Sequence, residues 1–429
     1  SPTHPKDMTA SAPVTGSAPA FHTFPRPLDV RWVGSINDIG REDWHTCFPP
    51  TDVMQSFELH QATEAASIED VRFHYLVLRN EGAVVAIVPC FRFRMSLTVI
   101  APENVNKVVS QVRRAFPDFL FLNAFVIGTP IAICKDLLGV RADLPKARRD
   151  DVLRAISREV IARARHLKLG LVFMKEFTSQ KLPEVKDVLS PRFNFVESAA
   201  TTYLYLGEPG KSTFKDRLRK KYRSLMNNRM ARVQEAGMRW ETVSDFSRYA
   251  AQMHPLYLQV LNRSKIRFET LSVDFFAQLP QRLGDRVFAL LCFKGEQLVS
   301  FELFLKDAEW VHPIYLGLDY SLRDEGSLYF NSIYKIVEVL ESQGKSVVQL
   351  GQTSYAVKAS IGAVVDRLYL AVHHTNPVLD QLLKRFGAEL FPPTPLPRSQ
   401  RVFRDMKEND DGLARHGIHF ERLDAEGDE

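Results

Sequence analysis

The chain reads as an α/β protein built from mixed sheets flanked by helices, and three observations point there. Period-two apolar runs alternate with helical stripes along most of its length. The order of patterns (helices, a β-meander, a helix, a strand, a helix, a strand) occurs once in each half, without any residue-level repeat. The third observation is the stretch Lys345-Ser-Val-Val-Gln-Leu-Gly-Gln-Thr-Ser-Tyr-Ala-Val-Lys358, where a short strand ends at Gly351 and releases into a polar turn. Open α/β sheets place ligand groups just past the carboxyl ends of their strands, where backbone groups come free.

Composition bounds the class. With 429 residues the chain has room for two domains, each with its own core. A hydrophobic share of 45% with 25% charged residues is that of a globular protein. No apolar run approaches the roughly 20 residues that span a bilayer. Residues 1–27, rich in Ser, Thr, Ala and Pro and lacking a basic-then-apolar signal pattern, are expected to form a disordered leader, which places the protein in the cytoplasm. The four cysteines lack metal-like spacing and read as reduced thiols. The net charge of +5 is mild, but its distribution is uneven.

The elements follow in order. Leu28 to Val33 predicts a strand and Asp52 to Ser67 a helix. Val71 to Leu78 and Ala83 to Phe91 are β-rich, joined by the hairpin turn Arg79-Asn-Glu-Gly82. A helix over Asn104 to Phe116 and a strand over Phe119 to Ile127 come next. Arg148 to Leu167 carries Val152, Leu153, Ile156, Val160, Ile161 and Ala164 at helical spacing. Leu171 to Lys175 predicts a strand, Leu182 to Leu189 a helix, and Phe193 to Leu206 one further strand.

From Lys211 the character changes: residues 211–236 predict a basic helix with one thin stripe, Phe214, Leu218, Tyr222, Leu225 or Met226, Arg229 and Val233, stopped by Gly237. Helices over Asp245 to Val260 and Ser272 to Leu283 precede a meander of Arg286 to Phe293, Gln297 to Leu305 and Trp310 to Leu316. An amphipathic helix over Ser327 to Gln343, the strand Val347 to Leu350, the polar turn, a strand pattern over Val364 to Val372 and a helix over Pro377 to Phe386 complete the second half. The division is thus 28–195, 196–388 and a Pro-rich, charged tail over 389–429 with little expected order.

Candidate chemistry concentrates in the second half. Glu302 is a lone acid in an apolar strand, either solvent-facing or lining a cleft as base or amine anchor. Tyr355 and Lys358, three apart on one helical turn, point the same way, as a donor to a leaving group and an anion stabiliser or as a plain surface turn. Gln352 and Thr353 could bind a carbonyl or cap the next helix. Tyr315 and Asp319 border the end of the meander, and His312 reads as a structural histidine. Arg217, Lys220 and Arg223 suit phosphate more than bases, and also suit a solvated face or an anionic lipid surface. His373 and His374 face opposite ways on a strand, so no metal site is expected. The chain has no Gly-x-Ser-x-Gly elbow for a nucleophilic serine.

The basic helix ending Arg229-Met-Ala-Arg-Val-Gln-Glu-Ala-Gly237, the meander Phe288 to Leu316, and the helix–strand–turn Tyr329 to Lys358 together resemble the FemAB-like branch of the GNAT-fold acyltransferases. The likeness covers roughly Asp29 to Phe386. It departs at Asp324-Glu-Gly-Ser-Leu328, where the family has a small-residue–Pro–Gly turn, and in lacking the spaced-glycine phosphate loop. The resemblance implies two tandem GNAT-type domains and an N-acyltransferase without a tightly bound cofactor, moving an acyl group from acyl-CoA or an acyl-carrier protein to an amine. It implies Glu302, Tyr355 and Lys358 as catalytic, with Gln352, Thr353, Tyr315, Asp319, Arg217, Lys220 and Arg223 on the donor and substrate side. Two alternatives stay open: an aminoacyltransferase fed by charged tRNA, and a non-catalytic GNAT-fold binding protein. No DNA partner is implied.

Overall fold

The computed structural model describes residues 26–96, 110, 111, 114, 115, 121–263, 270–393 and 395–422. The expected leader lies outside these residues but for its last two, and most of the helix expected over Asn104 to Phe116 lies outside them too.

The first half runs β1 (Asp29–Val33), α1 (Arg41–Cys47), α2 (Phe57–Ala65), β2 (Arg72–Asn80), β3 (Ala83–Ser96), β4 (Phe121–Ile127), a short β5 (Gly139–Val140), α3 (Lys146–His166), β6 (Leu171–Thr178), α4 (Leu182–Leu189) and β7 (Asn194–Glu197). β8 (Thr201–Tyr205), the one-turn α5 (Phe214–Arg217) and α6 (Lys220–Glu235) lead into the second half. That half runs β9 (Met238–Val243), α7 (Ala250–Leu261), α8 (Val273–Leu283), β10 (Val287–Lys294), β11 (Gln297–Lys306), β12 (Val311–Leu318), α9 (Leu328–Ser342), β13 (Val347–Gly351), α10 (Tyr355–Ser360), β14 (Val364–Asp366) and β15 (Leu368–His374). α11 (Pro377–Leu390) and α12 (Met406–Arg415) close the described chain. No helix among the described residues is long and apolar enough to cross a membrane.

The α/β class with mixed sheets flanked by helices is what the chain adopts. One sheet has eight strands in the order β1-β2-β3-β4-β6-β15-β7, with β5 beside β3. It is mixed, because β4 and β6 pair in parallel while their neighbours pair antiparallel. A second sheet, β12-β11-β10-β9, is the antiparallel meander, and a third is β13-β8-β14. Both halves therefore share one order: strand, two helices, meander, helix, strand, helix, strand.

The last strands are exchanged. β15, from the second half, lies between β6 and β7 of the first. β8, which follows directly on β7, lies between β13 and β14 of the second. The single strand expected over Phe193 to Leu206 is thus two, parted at Ser198–Ala200, and the run Val364 to Val372 likewise divides at Arg367. At each break the chain leaves one sheet for the other.

Local rules account for the elements that were read from sequence. The hairpin between β2 and β3 turns on Glu81 and Gly82, both with positive φ (49° and 87°), as a two-residue turn matched to strand twist requires. α3 buries the predicted stripe, Val152 through Ala164, against one face of the large sheet. The other face of that sheet shares a continuous core with α2, α8 and the meander, so Phe91 and Val126 belong to one apolar cluster with Phe276 and Phe301. The two halves are fused through this core.

Two expectations need correction. The basic helix is broken: Leu218 is extended (ψ 143°) and bridges to Phe403, and Arg219 N–H donates to the Val402 carbonyl, so α5 and α6 are separate. The tail is not loose over its described part. Val402, Phe403 and Leu413 are fully buried, and Asp405 caps α12 at the Glu408 N–H. Its apolar side chains finish the core under α6 and β8, which its Pro-rich opening concealed.

Candidate functional site

The polar turn after β13 is held in an unfavourable backbone shape. Gly351, Thr353 and Ser354 all have positive φ (71°, 78° and 52°), which costs the two non-glycine residues roughly 1–2 kcal/mol each. Side chains fix it from several sides. Thr202 Oγ1 donates to Gly351 O (2.7 Å), and Gln352 Nε2 donates to Ala199 O (2.8 Å) and Glu176 Oε1 (3.3 Å). Lys358 Nζ reaches back from α10 to Leu350 O (2.7 Å) and Gln352 O (3.2 Å). Such over-determination is what lets strained turns persist at working sites.

Lys358 is buried, and desolvation brings its ammonium down to about 8. Glu302, on the central strand of the meander, is buried as well, and desolvation raises its carboxyl well above the usual range against the opposing field of Lys358. The two groups sense one another across the site without forming an ion pair. Tyr329, at the start of α9, lies within the field of Glu302, and burial pushes its phenol up to about 12. The structure therefore gathers Glu302 and Lys358 with Tyr329 and the strained turn. Burial disfavours the charged form of the Glu302 carboxyl, which bears on any role for it as a base.

The other predicted residues scatter. Tyr355 turns its hydroxyl away to donate to Ala200 O (2.6 Å), locking α10 onto the β7–β8 link. Gln352 also grips that link, and Thr353 is exposed, so neither caps α10. Tyr315 packs edge-on against Tyr257 and Phe275 in the shared core. Asp319 caps the turn after β12, accepting from Ser321 N (3.0 Å) and Oγ (2.6 Å). Arg217 is not free to meet phosphate: its guanidinium lies between the Tyr205 and Phe403 rings (4.4 and 4.6 Å) and donates to Tyr205 O and Asn409 Oδ1 (both 2.8 Å). Lys220 and Arg223 sit in the first turn of α6, Lys220 exposed, away from these contacts.

Sequence reasoning missed the contribution of the first half. Beyond the parallel pair of β4 and β6, Lys175 and Glu176 lie buried, with Lys175 Nζ donating to Thr129 O (3.0 Å). Glu176 adopts a positive φ of 61°, and its Oε2 has no hydrogen-bond partner among the described residues. Cys134, also left-handed (φ 57°) and buried, lies within the fields of Glu176, Lys175 and Lys358. Desolvation pushes its thiol up to about 12, so it is protonated. The signal was present: Lys175-Glu176 interrupts the apolar run Leu171 to Phe177, and a charged pair inside a buried strand asks for a reason.

Cys134 also lines a cavity of about 420 Å³ between the halves. Its walls include Tyr203 on β8, His312 on β12, Gln349 on β13, and Trp310, Asp52 and Lys135. Asp52 and Lys135 form an ion pair. Trp310 and His312 stack (5.8 Å, 15° between planes). Burial holds the His312 imidazole down at about 4, so the ring is neutral, and its Nδ1 has no hydrogen-bond partner among the described residues. Beside the cavity, β12 and β13 lie alongside one another without ladder bonds; each is the edge of its own sheet.

No known family profile matches the chain, and no curated protein matches it. Several solved structures are similar to it. One is the C-terminal domain of a putative lysylphosphatidylglycerol synthetase from Agrobacterium fabrum (11% identity, 81% of this chain and 97% of that one, TM-score 0.49). Another is a tandem GNAT protein from the clavulanic acid biosynthesis pathway (12% identity, 82% and 99%, TM-score 0.47). A third is FemX (10% identity, 82% and 100%, TM-score 0.48). Structures of the FemAB-like and GNAT-fold kind named from the sequence are thus among those the chain is similar to.

Proposed function

We propose that the protein is an N-acyltransferase that moves an acyl group from an acyl-CoA or acyl-carrier donor to an amine. The observation that carries this reading is the pair of adjoining sheet edges, β12 and β13, which share no ladder and flank the 420 Å³ cavity. An unpaired strand edge binds an extended amide-bearing arm through main-chain hydrogen bonds. The pantetheine arm common to CoA and carrier proteins is such an arm.

The reaction joins the amine nitrogen to the acyl carbon and breaks the carbon–sulfur bond; nitrogen loses one proton and the departing sulfur gains one. Lys358 supports both ends of that exchange. Its ammonium spends two protons on Leu350 O and Gln352 O and, buried behind the cavity wall, acts on the developing oxyanion and the thiolate through its positive field. A value of about 8 suits proton transfer near neutrality. Glu302, whose carboxyl is raised by burial, lies within the field of Lys358, and the turn carbonyls hold the Lys358 ammonium in place. Catalysis by placement and electrostatics needs no covalent enzyme intermediate.

The test is calorimetric titration with CoA and a ladder of acyl-CoAs, with total tRNA in a parallel arm. Micromolar binding of one acyl-CoA, weakened by Lys358→Ala, is the expected result. Salt-sensitive binding of tRNA alone, lost when Lys220 and Arg223 are neutralised, replaces the donor with an aminoacyl-tRNA. Silence of every donor, together with no thiol release on mixing acyl-CoA and amines, overturns acyl transfer.

A further inference from the structure

Two side chains of the cavity wall are set by a strand ladder. Tyr203 on β8 and Gln349 on β13 are direct cross-strand partners, so both side chains leave the sheet on one side, and both line the cavity. Thr201, two residues before Tyr203 and fully buried, stands on that same side. Gln349 Nε2 donates to Thr201 Oγ1 and to the Tyr203 hydroxyl, each at 3.1 Å. Burial raises the Tyr203 phenol, so the hydroxyl keeps its proton. That proton has no acceptor among the described residues, and Gln349 Oε1 has no donor among them. Reversing the carboxamide changes which atoms are left over but not their kinds. The pair then offers amide protons and the phenolic oxygen in place of the phenolic proton and the amide oxygen. Either way one donor and one acceptor stand side by side.

The charged residues of the same wall are engaged elsewhere. Asp52 pairs with Lys135. Asp307 accepts from the Val53, Glu309 and Trp310 N–H groups (3.1, 3.0 and 2.8 Å). Glu309 is exposed, on a hairpin whose Ala308 and Glu309 carbonyls accept from Lys345 Nζ (3.3 and 3.1 Å). His416 Nε2 meets Glu208 Oε1 (3.1 Å), and His312, stacked on Trp310, is neutral. Tyr203 and Gln349 thus meet a ligand as an uncharged pair. A carboxylate sets an acceptor against their acceptor, an ammonium sets a donor against their donor, and each leaves a half-buried polar group unpaired.

We infer that Tyr203 and Gln349 clasp an uncharged ligand group that donates and accepts at once, an amide or a hydroxyl, inside the cavity. Met54, Ile133 and Ile418 in the same wall give an apolar surface for the carbon chain that carries it. A volume of about 420 Å³ falls within the roughly 300–1,000 Å³ of small-molecule sites. The assignment of that group to the donor's arm or to the amine acceptor rests on the acyl-transfer reading; the clasp itself does not.

The experiment is an NMR titration of the full chain with hexanamide, 1-hexanol, hexanoate and 1-aminohexane, repeated on Gln349→Leu, Tyr203→Phe and Gln349→Glu. The better of the two uncharged ligands is expected to bind at least about tenfold more tightly than either charged one. Gln349→Leu and Tyr203→Phe cut that preference to about threefold or less. Gln349→Glu, nearly isosteric but acceptor-only, turns the preference toward 1-aminohexane, a reversal that loss of fold does not produce. A charged ligand that matches the uncharged ones on the unsubstituted chain, or the same order of binding in all three variants, overturns the clasp. Pantetheine, which carries amides and hydroxyls, separates the two sources. Displacement of the bound hexyl ligand by pantetheine assigns the clasp to the donor's arm, and failure to displace it assigns the clasp to the acceptor. Thiol release on mixing acyl donors with amines separates the two readings. The expected preference without thiol release from any donor sinks acyl transfer and leaves the clasp standing. Thiol release without any preference among the four ligands leaves acyl transfer and sinks the clasp.

Discussion

Lys358 and Glu302 depart from their free values in ways that tie stability to pH. Folding lowers the Lys358 amine from 10.5 to about 8, so its contribution is fully present above 10.5 and is lost as pH falls through about 8. At roughly 1.4 kcal/mol per pH unit the interval corresponds to about 3 kcal/mol. Lys358→Met removes this dependence. Urea midpoints at pH 7 and pH 10 should show the wild type gaining stability relative to the variant, and parallel shifts would refute the burial of the charge. Glu302 runs the other way. Its raised carboxyl favours the fold below about pH 4.5, and the benefit declines as pH climbs through the raised value. Glu302→Gln should therefore leave stability at pH 8 unchanged or higher while lowering acyl transfer. Unchanged transfer would remove Glu302 from the chemistry.

At the scale of elements, the turn between β13 and α10 stores strain. Thr353 is β-branched, exposed, and held at φ 78°, where only glycine is at ease. Thr353→Gly should raise stability by about 0.5–1 kcal/mol, the relief exceeding the entropy that glycine adds to the unfolded chain. A loss of stability on chemical denaturation would mean the threonine side chain holds the turn. α5 is fixed by the tail: Arg217→Ala, which empties the slot between Tyr205 and Phe403 and strands Asn409, should free α12 to proteolysis while leaving the sheets intact. Elements with strong local signals were legible in the sequence. The stripe of α3, the hairpin at Glu81-Gly82 and the three-stranded meander depend on periodicity and turn chemistry alone. Arg217 was misread because a basic residue among basic residues looks solvated, and the aromatic rings around it come from 12 positions away and from the tail. Glu302 was legible as a charge in an apolar strand and Lys358 as part of the polar turn, whereas Cys134 and Glu176 belong to the other half and meet them only in three dimensions.

For the whole molecule, the division between the halves is topological and not physical. The core that joins Phe91 to Phe301 and the exchange of β8 and β15 make each sheet depend on chain from both halves. Unfolding should therefore be a single transition, with fluorescence and circular dichroism changing together; separated transitions would show two independent domains. Sequence pattern could show that Phe193 to Leu206 and Val364 to Val372 are strands, but not which sheet each piece would enter. That choice is made by partners about 150 residues away, between which local propensity does not distinguish.

The exchanged strands also set a clock on the ribosome. When β7 has been made, the slot between it and β6 has no occupant, because β15 is encoded about 170 residues later. At about 5–20 residues per second, the nascent first half waits roughly 10–35 s with the apolar edges of two strands uncovered. Synthesis of this chain thus includes an interval in which a nearly finished sheet is open to any other strand, and its closure awaits the last strand to be made.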